Sequence, residues 1–396
     1  MFLNDSQMFQ LFAVLIAFTL LFCAGADAAP RLPGDDAEVL ERLPARRDDP
    51  AMAELRRLRA ALTASPADAG AATNLARRYF ELAMAEGDPR YVGYAEAALR
   101  PWRGGAQAPA DLLVVRGMLR QYRHDFAGAL EDFAHAARAD PESTLPRAWS
   151  AAIYMVQADY PAARRECEAL EPIASELIAT GCSSYVEATT GRTRAAYERL
   201  AAELARRPDA APESKLWVLT RLAEMAWRLG ETPTAERHFR DALALGVTDN
   251  ILLFSYADFL LGLGRPKEVL ALLEGLQRSD TLLLRLALAA RALKLPVAER
   301  YSRALGERFA AAALRGEKLH LQEEARYLLD LRGDATRALA AARENWNKQR
   351  EPRDALVLLE AALAAREPRA AAPALRWLEE TRFEDDRLRR VAAQLK

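Results

Sequence analysis

The sequence predicts an all-α chain built as a solenoid of helix pairs, and three observations carry that expectation. First, the chain repeats itself every 34 residues. Ala223, Leu229, Gly230, Ala235, Phe239 and Ala242 are matched by Ala257, Leu263, Gly264, Val269, Leu273 and Leu276. Small falls on small, apolar on apolar, and turn glycine on turn glycine, as expected of one helix–turn–helix unit stacked on the next. Second, Pro161, Pro233, Pro266 and Pro296 each stand two or three residues before a recurring small position. Proline suits the first turn of a helix, where its missing N–H costs nothing. Third, from about Pro50 onward, helical apolar stripes are separated by Gly, Pro and Asp clusters, and nothing reads as a β-strand.

The elements follow in chain order. Phe9 to Ala26 is almost wholly apolar and uncharged, and Ala26-Asp27-Ala28 is a small-x-small cleavage pattern. Residues 1–28 therefore read as a secretory signal peptide cut after Ala28. No Lys or Arg precedes the apolar run, so the alternative is an uncut N-terminal membrane anchor. The run is a little short for a spanning helix of about 20 residues. Phe22 before Cys23 is too bulky for a lipoprotein site. Residues 29–50 form an irregular leader with one short helix around Ala37–Leu43. The array is expected over residues 51–383, with an insertion in its first unit around Gly87–Tyr94 and a degenerate stretch at 279–350. The charged segment 384–396 reads as a C-terminal capping helix, because the open end of an array needs a polar outer face.

The clearest unit is Pro109–Pro141. Gly117 falls where two helices cross, and Ala129, Phe133 and Ala136 form the stripe of the second helix. This pattern resembles the tetratricopeptide repeat, a 34-residue helix–turn–helix. Leu75 to Tyr79 looks like the motif's first helix, as does Ala151 with Tyr154. Ala163, Ala196, Ala235, Val269 and Ala338 look like its small position in the second helix. The resemblance covers about 80% of the chain and implies a superhelix of about eight or nine repeats. It says little about activity, because one scaffold hosts many functions.

The composition is 51% hydrophobic and 28% charged, so most of the chain should fold. The net charge of −1 supplies no global attraction to nucleic acid. No catalytic constellation emerges. His124, His135, His238 and His320 lie in no HExxH pattern and near no Cys pair at zinc spacing. There is no GxSxG elbow and no GxxxxGK[ST] loop. Gly262-Leu263-Gly264 reads as a turn, and Glu379-Glu380 and Asp385-Asp386 as solvated faces. No cofactor and no metal is expected.

Once a signal is removed, Cys167 and Cys182 are the only cysteines. An exported chain with two cysteines is a candidate for one disulfide. Cys167 falls on the second helix of one unit and Cys182 on the first helix of the next, and those helices pack together in such an array.

In tetratricopeptide arrays the first helices line a concave groove that holds peptide segments. The register places Phe80, Met118, Tyr122, Met155, Tyr185, Trp217, Glu224, Trp227, Arg228, Phe254 and Asp258 there. Aromatics and Arg carry most of the energy of binding surfaces. The expected function is a non-catalytic scaffold or adaptor that binds a protein or peptide segment in the bacterial cell envelope. One alternative is a component of a polysaccharide-export or secretion assembly. Another, of a different class, is an enzyme or protease accessory with an unrecognised site. No nucleic-acid partner and no membrane span in the mature chain are expected, and the location would be periplasmic or secreted.

Overall fold

The structure, a computed structural model, describes residues 50–104 and 108–395. The apolar run, the cleavage pattern and nearly all of the leader lie outside the described residues. Within them the chain is helical throughout, with no strand. An initial helix α1 (Pro50–Ala64) is followed by nine helix pairs. These are α2 (Ala69–Glu86) with α3 (Arg90–Ala98), α4 (Ala110–Tyr122) with α5 (Phe126–Ala139), and α6 (Thr144–Val156) with α7 (Tyr160–Leu170). Then come α8 (Glu176–Thr189) with α9 (Thr193–Arg206), α10 (Pro212–Arg228) with α11 (Thr232–Ala244), and α12 (Asn250–Gly262) with α13 (Pro266–Leu272). The last three are α14 (Asp280–Ala292) with α15 (Val297–Leu314), α16 (Leu321–Arg326) with α17 (Ala335–Trp346), and α18 (Pro352–Ala364) with α19 (Ala372–Thr381). Helix α20 (Asp386–Ala393) closes the array inside the segment read as a cap.

The recurring small position explains the pairing. Ala129, Ala163, Ala196, Ala235, Val269 and Ala338 are all fully buried. A short side chain there lets the second helix lie close against the first. Gly117 serves the same end from the first helix: a Cβ added to it would meet the Phe133 ring at 2.5 Å. The turns are set by side-chain caps. Asp125, Asp159 and Asp334 each accept a backbone N–H at the start of a second helix, as short polar side chains do at that position. Pro161, Pro233 and Pro266 occupy the first turn of their helices, while Pro296 sits one place earlier, as the residue preceding α15.

Two details differ from the sequence expectation. In the first pair, residues 87–94 hold no insertion: a tight turn at Gly87 leads directly into α3. The extra length follows α3, where Arg100–Trp102 forms a 3-10 turn. The degenerate stretch has a physical cause as well. Helix α15 runs for 18 residues, and α16 widens into a π-helical segment at Tyr327–Arg332. Both shift the register.

The array turns back on itself. Gly87 lies against Ser279, and Arg123 Nη1 is 3.8 Å from Glu317 Oε1. The Arg350 backbone N–H donates to the Val156 carbonyl at 2.7 Å, and that of Thr193 to Glu384 Oε2 at 2.8 Å. Gly191 faces the Arg382 carbonyl. Each pair is separated by about 190 residues, five to six repeats, so the small rotation per repeat completes one superhelical turn and brings the next against it. We call this line of contacts the seam.

Cys167 on α7 and Cys182 on α8 form a disulfide, with Cα atoms 5.5 Å apart. The bond ties two successive pairs across a loop of 15 residues. Replacing both cysteines by alanine is expected to remove about 3 kcal/mol of stability. Urea unfolding without reductant checks this, and the reduced wild-type protein should shift by the same amount.

Among the described residues, no helix is long and apolar enough to cross a membrane, and no cluster of His, Cys, Asp or Glu is arranged to hold a metal ion.

Candidate functional site

The first helices of the middle and later pairs present one continuous polar wall. It begins at Tyr185 on α8, whose ring lies 5.0 Å beneath the guanidinium of Arg221 on α10. Arg221 pairs with Glu224 at 3.0 Å, and Glu224 accepts a hydrogen bond from Ser255 of α12 at 2.9 Å. One turn further along α12, Asp258 takes a bidentate pair from Arg285 of α14, at 2.8 and 2.7 Å. Two cations lie over the Phe254 ring, Arg285 at 5.2 Å and Arg353 of α18 at 4.8 Å. Arg353 is also held by Glu351 at 2.7 Å. The wall thus alternates aromatic faces, guanidinium groups and carboxylates across five helices.

Burial tunes several of these groups. Desolvation pushes the Tyr185 hydroxyl up, with Arg221 opposing it. It pulls Arg228 below the ordinary guanidinium range, outweighing the opposing charge of Glu224. Asp354, buried beside Glu351, is raised to about 7 by desolvation and then by that neighbouring charge. The wall nevertheless stays reachable: Glu224, Asp258 and Arg353 keep 30%, 36% and 37% of their side-chain surface.

The residues expected in a groove do not stay together. Tyr185, Glu224, Phe254 and Asp258 share the wall. Phe80, Met118 and Met155 are buried between helices, Phe80 with its ring edge-on to Trp149 at 6.0 Å. Trp217 packs over Gly181 of the preceding first helix, and Trp227 over Gly262 of the next. Tyr122, Trp227 and Arg228 belong to the seam. Burial pushes the Tyr122 hydroxyl up to about 12. Arg387 stacks on the Trp227 ring at 3.5 Å, and Arg228 on Phe383 at 4.5 Å.

Sequence reasoning missed Arg221, Ser255, Arg285, Glu351 and Arg353. Only one signal pointed to part of this set: Glu224 and Asp258 are 34 residues apart, as are Arg221 and Ser255.

His124 lies in the turn before α5, where its backbone has φ of 58°. Desolvation, reinforced by His320 and Lys348 from the next superhelical turn, pulls its pKa from 6.5 down to about 4. The folded protein therefore keeps this ring neutral where the unfolded chain takes up a proton. Stability should be fully present above about pH 6.5 and fall as pH drops towards 4, by on the order of 2 kcal/mol. Denaturant midpoints at pH 7 and pH 4.5 measure the loss. His124→Asn tolerates the left-handed backbone and should reduce it.

No family model matches the chain, and no curated protein matches it. Among solved structures, the yeast Tom70 structure is similar over 87% of this chain and 85% of that one, at 11% identity and a TM-score of 0.41. The Cut9–Hcn1 hetero-tetramer of the APC/C is similar over 87% of this chain, at 12% identity and a TM-score of 0.40. The match spans about half, 52%, of that longer chain. A tetratricopeptide repeat protein from Parabacteroides merdae is similar over 72% of this chain and 98% of its own, at 14% identity and a TM-score of 0.31. Likeness at this level adds no weight of its own. The architecture stands on the nine helix pairs, their buried small positions and their 34-residue period, which make this chain a tetratricopeptide-type helical solenoid.

Proposed function

We propose that the protein is a scaffold that holds a partner polypeptide against the inner wall formed by α8, α10, α12, α14 and α18. The observation that carries the reading is the set of half-open charges Glu224, Asp258 and Arg353, placed beside the Tyr185 and Phe254 rings. Each is anchored on one side by an intramolecular partner and open on the other. Pre-positioned charges next to aromatic faces suit recognition of a polypeptide, because little side-chain freedom is lost on binding. The reading includes no covalent step.

We also propose an envelope location, periplasmic or secreted. The Cys167–Cys182 disulfide supports it, since such bonds persist in oxidising compartments. The apolar run Phe9 to Ala26 with its small-x-small pattern supports it independently.

The test is cross-linking in intact cells, followed by purification and mass spectrometry. It compares the wild type with a Glu224→Ala, Arg353→Ala double variant of matched helix content. A stoichiometric polypeptide that disappears with the variant is the expected result. A partner recovered equally with both forms would place recognition elsewhere on the molecule.

A further inference from the structure

A second site lies on the seam. A cleft of about 540 Å³ opens between the turn at Asp88–Arg90, with Arg123, and the segment Arg278–Glu324 one superhelical turn later. We propose that this cleft binds a short acidic peptide segment, distinct from any polypeptide on the inner wall.

The charge balance points there. Six cations line the cleft: Arg90, Arg123, Arg278, Arg308, Arg315 and Lys318. Four acids accompany them: Asp88, Asp280, Glu317 and Glu324. Within the lining itself the cations outnumber the acids by two. Three of the acids are already engaged: Asp88 by Arg90, Asp280 by Arg308 at 2.7 Å, and Glu317 by Arg315 at 2.7 Å. Two of the cations pair outside the lining, Arg123 with Glu96 at 2.9 and 3.0 Å and Lys318 with Glu344. The exposed Arg278 side chain has no ion-pair partner among the described residues. Arg90, Arg315 and Lys318 retain 69%, 58% and 55% of their side-chain surface, so their outer donors remain free for a ligand. Guanidinium forks match carboxylates in bidentate geometry.

The cleft's other surface selects the kind of anion. Pro89, Phe309, Ala312, Leu319 and Leu321 supply apolar lining. Phe309 is the one Phe, Tyr or Trp in the lining, and it is buried at 6% exposure. It offers no open ring face on which a sugar could stack. Apolar surface beside arginines suits alternating acidic and aliphatic side chains. The volume falls within the roughly 300–1,000 Å³ typical of ligand pockets, enough for a few residues. Because the lining comes from both superhelical turns, an occupant bridges the seam and holds it closed.

The probe is a fluorescein-labelled hexapeptide of alternating glutamate and leucine, followed by fluorescence anisotropy. Saturable one-to-one binding is expected, weakening with added salt. Arg278→Glu with Arg315→Glu should weaken it about tenfold or more. Both side chains are exposed, so helix content and melting temperature should match the wild type. The Glu224→Ala, Arg353→Ala variant should bind the probe as the wild type does, which separates this site from the inner wall. Absence of saturable binding would overturn the proposal. So would equal binding by the charge-reversed variant, or equal binding of a glutamine–leucine peptide. Tighter binding of a trigalacturonate than of the peptide would overturn the assignment to a polypeptide.

Discussion

Replacing Trp377 with alanine is expected to cost about 3–5 kcal/mol, as loss of a fully packed indole does. Trp377 is 5% exposed and lies at the seam. Its ring packs edge-on to Trp346 at 6.0 Å and tilted on Phe383 at 5.2 Å. Its indole N–H donates to the Tyr160 hydroxyl at 2.8 Å, joining α19 to α7 across 217 residues of sequence. Burial holds that hydroxyl well above the ordinary tyrosine pKa, so it stays protonated. Tyr160→Phe removes only the acceptor and should cost about 1–3 kcal/mol, the penalty for an unpaired buried donor. The two losses share one contact, so the double variant should fall short of their sum. Equilibrium unfolding gives the values. Hydrogen exchange should show faster exchange in α19 and α20 and at the start of α7, with α4 and α5 unchanged. Exchange confined to α19 would mean that the seam contributes nothing.

The second large effect lies inside one repeat. Arg116 of α4 donates to Asp132 of α5 through Nε at 2.9 Å and Nη2 at 2.5 Å, and Arg120 reaches the same carboxylate at 2.9 Å. Arg116 and Asp132 are 9% and 3% exposed. Asp132→Ala withdraws the carboxylate that neutralises a buried guanidinium and should cost about 3–5 kcal/mol. Replacing both partners by apolar residues of similar size, Arg116→Met with Asp132→Leu, should cost far less, because the one guanidinium left without the carboxylate, Arg120, is 28% exposed and keeps the Gly128 carbonyl. Chemical denaturation of the three variants tests this. A double variant as unstable as Asp132→Ala would show that the pair stabilises the fold by more than charge compensation.

The array was legible because it repeats. A fully buried Ala129 or Ala235 every 34 residues or so leaves a periodic trace that survives changes elsewhere. The inner wall was half legible for the same reason: Glu224 and Asp258 hold the same place in successive repeats. The register slips before Arg285 because α13 is only 7 residues long and α14 starts at Asp280, short of a full period after Asn250; it slips again before Arg353 through the long α15 and the π-helical widening after α16. Register alone places Trp217 and Trp227 in the groove. What decides their place is Gly181 and Gly262 on adjacent first helices, each leaving room for an indole. The seam left no trace in the sequence. It arises from small rotations summed over five to six repeats, and the contacts it makes, such as Val156 with Arg350, recur nowhere in the pattern.

The central claim is that one superhelical turn closes against the next. Spin labels on cysteines introduced at Arg192 and Asp386 test it most directly, since both side chains are exposed and flank the Thr193–Glu384 hydrogen bond. Cys167 and Cys182 are bonded to each other and take no label, and Cys23 is replaced by serine so that only the introduced sites react. Double electron–electron resonance should give one short, narrow distance distribution, broadened by Trp377→Ala. A long or featureless distribution in the wild-type background would mean that the solenoid is open, and that neither the seam nor the cleft on it exists in solution.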